Sequence, residues 1–101
     1  MIKFVLTARA EADLFAIRDY IAQDSREAAN KVIGKFEECF DRLAKMPGMG
    51  HFRTDLLPKR YKFWSIYSYL VVYRWKSAPI QIVAVIHGAR DLEAFFDEFI
   101  D

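Results

Sequence analysis

The sequence predicts one α+β domain, a small antiparallel sheet with helices packed on one face. Three features predict it. Apolar residues recur with a period near 3.6 through residues 8–45. Between residues 61 and 87 the texture changes to three runs crowded with aromatic and β-branched side chains. The chain has 101 residues and is 53% hydrophobic, enough for a single core and too short for two domains, so 1–101 reads as one domain.

Residues 2–6 are short, apolar and bounded, as expected of a strand. Thr7 offers an N-cap oxygen for a first helix over 8–24, whose apolar face is Ala10, Leu14, Ile17 and Ile21. Ser25, followed by Glu27 in the first turn, opens a second helix over 26–45. Its face is Ala29, Val32, Ile33, Phe36, Phe40 and Leu43, and Pro47-Gly48 ends it. Helices of these lengths span about 25 and 30 Å, and the short link between them implies an antiparallel hairpin. Residues 47–59 form a loop punctuated by Gly48, Gly50 and Pro58. Residues 61–66, 69–75 and 80–87, separated by Tyr67-Ser68 and by residues 76–79, read as a three-stranded antiparallel meander. The last run is apolar at nearly every position and suits a central strand covered on both faces. Asp91 then caps a short helix over 92–100, with Leu92, Phe95, Phe96, Phe99 and Ile100 as its apolar members.

The net charge of +1 conceals an asymmetry. Residues 1–41 carry −2 and residues 77–101 carry −4, whereas residues 42–76 carry +7, with eight basic residues against Asp55 alone. The basic zone of Arg42, Lys45, Arg53, Lys59, Arg60, Lys62, Arg74 and Lys76 suits phosphate or an acidic protein; equally it is a solvated face offset by the acidic tail. The apolar content and small net charge exclude disorder. The apolar run 82–86 is far short of a bilayer span, which needs about 20 residues. The N-terminus lacks the apolar core of a secretory signal, and Cys39 is the one cysteine. Both point to a reducing cytoplasm.

Few residues are arranged for chemistry. No nucleophile elbow, no metal-ligand spacing and no phosphate-cradling glycine loop is present, so neither a cofactor nor a metal is expected. Metal-free RNA cleavage requires a base, an acid and cations, which His87, Arg90, Arg74 and Lys62 supply in part if the strands converge. Trp64, Tyr73 and Trp75 stack on a base or simply pack the sheet. The alternative to catalysis is binding. Phe15, Tyr20, Phe95, Phe96 and Phe99 exceed what a thin core hides, so an apolar groove along the helical hairpin is expected, unless the last helix covers them.

The succession of motifs resembles the RelE/ParE superfamily of bacterial toxins. The likeness rests on residues 10–21 of the first helix, Ala28-Ala29, residues 43–50 followed by Arg53, Tyr69-Leu-Val-Val-Tyr73-Arg74, and residues 82–91 ending His87-Gly88-Ala89-Arg90-Asp91. The RelE-like branch consists of ribosome-dependent mRNA endonucleases with a sheet arginine and a Tyr or His near the C-terminus. Here those positions hold Leu70 and the Phe95-Phe96 segment. The ending is similar to ParE-like members, which the resemblance implies inhibit DNA gyrase by binding rather than by cutting. It further implies a cognate antitoxin with a DNA-binding N-terminal domain, operator DNA contacted only through that antitoxin, and no membrane role. Arg90, Arg74, Lys62, Trp64 and His87 are then expected on the target-facing surface. Leu14, Phe15 and Tyr20 are expected near the antitoxin. The alternatives are an mRNA endonuclease with His87 and Arg90 catalytic, and a weakly toxic member that only binds antitoxin.

Overall fold

The computed structural model describes residues 3–99. The elements run β1 (Phe4–Leu6), α1 (Ala8–Ala22), α2 (Arg26–Lys45), a 3₁₀ turn (Pro47–Met49), β2 (Tyr61–Ile66), β3 (Tyr69–Arg74), β4 (Ile80–His87) and α3 (Leu92–Phe99). The element order is the one expected, and α2 has the bounds its periodicity predicts. The ends expected at Ile2 and Ile100 lie outside the described residues, as does the side chain of Phe99. The strand order is β1-β4-β3-β2, with β1 parallel to β4 and the other pairs antiparallel. β4 is therefore interior, as its unbroken apolar run requires.

Local chemistry fixes the helix starts. The Thr7 hydroxyl accepts the Ala10 N–H at 3.1 Å and the Ser25 hydroxyl accepts that of Ala28 at 3.1 Å. Asp91 does the same for Ala94 at 3.2 Å. α1 stops at Ala22 rather than residue 24, because the Ile21 carbonyl takes both the Asp24 and Ser25 amides and turns the chain.

β4 contains one extra residue. Tyr73 pairs with Ile82 but Val72 pairs with Ala84, leaving Val83 as a bulge. The bulge and the strand just past it are tied to α1 and to the residue before that helix. The Thr7 hydroxyl donates to the Val83 carbonyl at 2.9 Å, and the Asp13 carboxylate accepts the Val85 N–H at 2.9 Å. The bulge shifts the phase of the strand. Ile80, Ile82 and Val85 pack with Ala10, Ile17, Phe36, Phe40 and Leu43 of the hairpin. Ala84 and Ile86 turn the other way, joining Phe63, Val72, Leu56, Leu57 and Phe96. Each such large side chain, fully buried, contributes about 1.5–3 kcal/mol.

The sheet is thus covered on both faces, which corrects the expectation that all helices share one. The hairpin covers one face. α3 and the 56–57 segment cover the other, with the Phe96 ring edge-on to Phe63 at 5.7 Å. The segment read as loop supplies core residues: Leu56 and Leu57 are buried.

A second set of bonds ties residues 47–51 to the sheet. Tyr73 is fully buried; its hydroxyl donates to the Pro47 carbonyl at 2.7 Å and accepts the Gly50 N–H at 2.9 Å. It is a core residue, not a stacking platform. Burial is the main reason its phenol is held above the usual tyrosine range. Burial also pushes the Cys39 thiol up to about 11, with Arg42 pulling weakly the other way, so the thiol stays protonated and inert near neutral pH. His51 pairs with Phe63 through two backbone bonds of 2.8 and 2.7 Å, which satisfies part of the exposed edge of β2. Gly50 sits so close that a Cβ there would lie 2.5 Å from the Tyr73 hydroxyl and 2.9 Å from the Phe63 carbonyl.

Asp13→Ala removes the acceptor of the Val85 N–H, two residues past the bulge, and is expected to cost about 1–3 kcal/mol in urea unfolding. Tyr73→Phe is expected to cost a similar amount, about 1–3 kcal/mol, by stranding Pro47 and Gly50. Gly50→Ala also destabilises, but the Gly50→Ala/Tyr73→Phe double variant falls short of the sum, since losing the hydroxyl removes the tightest contact.

Candidate functional site

Three surface regions collect the residues singled out in the sequence. The first is a groove of about 360 Å³ along α1, lined by Leu6, Glu11, Leu14, Phe15, Arg18 and Ile33. Leu6, Leu14 and Ile33 in it are the partly buried margin of the hairpin core. Phe15 is 64% exposed, an unusual position for a phenylalanine, and Glu11 and Arg18 supply opposite charges to the same groove. Leu14 and Phe15 both line this groove. Tyr20 is 72% exposed but does not line the groove.

The second region is the end of β4 and the start of α3. The His87 ring stands edge-on to Tyr69 at 5.2 Å on the hairpin side, and its Nδ1 accepts the Ala89 N–H at 3.1 Å. A neutral His87 thus carries its proton on Nε2. The exposed Arg90 guanidinium lies 5.0 Å from the centroid of the Phe95 ring, over which Arg9 also lies, at 4.5 Å. The two side chains proposed as a nuclease pair are therefore held by different partners, His87 by Tyr69 and Arg90 by Phe95.

The third region lies where β2 begins and β3 ends. Lys62, expected to face a target, is buried instead. Its ammonium donates to the Gly48 and Gly50 carbonyls at 3.0 and 3.1 Å and sits 4.3 Å from the Phe52 ring centroid and 4.8 Å from that of Trp75. It clamps the 47–50 turn. Trp64 is half-buried beside the hairpin core and stacks on His51 with centroids 5.8 Å apart and planes 9° apart. Arg74 is exposed at the end of β3, opposite Tyr61. Arg53 grips Asp55 with two bonds of 3.1 and 2.9 Å. That hydrogen bonding holds the Asp55 carboxyl below its usual range and the Arg53 guanidinium above its own. The structure does not unite the five expected target-facing residues in one site. Among the described residues, no group of three or more His, Cys, Asp or Glu side chains is placed to hold a metal ion.

The signal that sequence reasoning missed was Phe52 beside Trp75, with rings 5.9 Å apart. Both stand within the basic zone, Phe52 beside Arg53 and Trp75 between Arg74 and Lys76.

A family model described as the ParE toxin of the type II toxin-antitoxin system, parDE, matches residues 4–92. The chain is 36% identical over 90 residues to Toxin RelE2 of Caulobacter vibrioides, covering 89% of this chain and 99% of the relative. It is 27% identical over 93 residues to Toxin ParE3 of the same organism, covering 91% and 92%. A solved structure of the chromosomal ParDE TA system from P. aeruginosa superposes with a TM-score of 0.71 at 26% identity, covering 86% of this chain and 96% of that one.

Proposed function

The chain belongs to the ParE toxin family of type II toxin–antitoxin systems, and from that premise we propose that it acts on DNA gyrase by binding, without cutting RNA. One observation carries the reading. Among the described residues of the C-terminal helix, Phe95 and Phe96 stand where the RelE-like branch carries a Tyr or His, and neither has a proton to transfer; Phe96 is buried against Phe63 and Phe95 lies under two arginines. Arg90 is then a recognition residue at the target-facing end, with His87 beside it on the adjoining turn. A gyrase inhibitor works in the cytoplasm; among the described residues, no helix is long and apolar enough to cross a membrane.

A toxin of this family has a cognate antitoxin, and the groove along α1 suits it. An amphipathic segment of the antitoxin lays apolar side chains against Leu14 and Phe15, with Tyr20 flanking the path and Glu11 and Arg18 fixing its direction. Contact with operator DNA is then made by the antitoxin's own domain.

Purified toxin is expected to inhibit gyrase supercoiling and to accumulate cleaved DNA, and Arg90→Ala is expected to require about tenfold more protein for the same effect, a loss of about 1.4 kcal/mol. Codon-dependent mRNA cleavage on ribosomes that is lost in His87→Ala or Arg90→Ala would replace this reading with the RelE-like one. Phe15→Ser is expected to leave folding stability nearly unchanged while weakening antitoxin binding about tenfold or more by calorimetry, as removal of an exposed aromatic anchor does.

A further inference from the structure

Five of the eight residues of the basic zone, Lys59, Arg60, Lys62, Arg74 and Lys76, come together as a rim at one end of the sheet. The β2–β3 ladder pairs Tyr61 with Arg74, so residues 59–60 and 75–76 leave the sheet side by side at the same end. Lys59 lies 5.8 Å from the Phe52 ring centroid and Lys76 lies 4.9 Å from that of Trp75. The buried Lys62 ammonium lies against both rings from beneath. The Trp75 indole is fixed by donating to the Lys59 carbonyl at 2.8 Å. Arg60, with its guanidinium 5.2 Å from the Tyr61 centroid, and Arg74 continue the rim.

Among the described residues, ion pairing does not neutralise this charge. Asp55, the one acid in residues 42–76, is occupied by Arg53. Among the described residues, none of Lys59, Arg60, Arg74 and Lys76 enters an ion pair, and all four are exposed. Lys62 adds a further positive charge with carbonyl and ring partners and no carboxylate. A cation removed from water and left without a counter-ion carries a desolvation cost, and its field extends to the surface above it.

We propose that this rim binds the phosphate backbone of duplex DNA. The aromatic faces argue for a duplex over a single strand: lysine ammonium groups lie over the Phe52 and Trp75 rings, where an unstacked base would have to stack. The chemistry also argues against an acidic peptide. A peptide that folds on binding needs apolar burial to offset its ordering, and the groove that offers it lies along α1 instead. A rim of point charges suits a ligand whose affinity comes from counter-ion release.

The proposal goes beyond the gyrase reading and is tested without gyrase, so failure of one leaves the other standing. The measurement is fluorescence anisotropy of a labelled duplex of about 20 base pairs, titrated with the full-length toxin from about 50 to 200 mM salt. Saturable binding is expected, with a log–log salt slope of about −3 to −4 for three or four phosphate contacts. Lys59→Ala/Lys76→Ala is expected to flatten the slope by about 2 and weaken binding at least tenfold, with circular dichroism and antitoxin binding unchanged. Arg26→Ala/Lys31→Ala, which removes the same charge from α2, is expected to leave the slope unchanged. No binding at the lowest salt, or equal losses from the two double variants, would overturn the proposal. Tighter binding of the corresponding single strand, or competition by poly-glutamate that exceeds the duplex charge for charge, would overturn it as well.

Discussion

One extra residue in the central strand organises the molecule. β4 has strands on both sides and cores above and below it, so its eight residues must serve two faces. In a regular strand Ile80, Ile82, Ala84 and Ile86 would share one face, since side chains alternate. The Val83 bulge breaks that alternation and divides them between the hairpin core and the α3 core. A bulge leaves backbone groups outside the ladder, and buried ones need partners. Thr7 bonds the Val83 carbonyl and Asp13 the Val85 amide two residues on, which fixes the start of α1 on β4. The hairpin, its groove and the α3 end take their positions from that attachment.

A second tie governs the opposite end of the sheet. Tyr73 and Lys62 project from neighbouring strands, paired in register, and both reach the 47–50 turn. Tyrosine bonds one carbonyl and one amide; lysine bonds two more carbonyls. The turn in turn places Phe52 against Trp75, and with it the lysines of the rim. The two surfaces with spare binding capacity, one apolar and one basic, are thus each positioned by a polar tie between distant parts of the chain.

Much of this was legible residue by residue. Thr7, Ser25 and Asp91 were read as caps, and each caps through its side chain. Phe15, Tyr20, Phe95, Phe96 and Phe99 were read as more than the core could hide; Phe15 and Tyr20 are exposed, but Phe96 is buried because the second sheet face receives it. Leu56 and Leu57 escaped because two adjacent leucines in a loop have no period; what buries them is the uncovered sheet face. Lys62 was read as a surface cation because its type is almost always exposed. Its burial depends on carbonyls 12 and 14 residues away, which no local pattern reveals.

The sequence by itself determined the elements, their order, the family resemblance and the uneven charge, because periodicity, capping and turn residues act over a few positions. Only the tertiary structure decided which face α3 covers, where β4 changes phase, and which of the basic residues remain exposed. Those outcomes depend on pairing backbone groups and filling space between segments far apart in the chain, where each buried polar atom must find a partner that the sequence does not name.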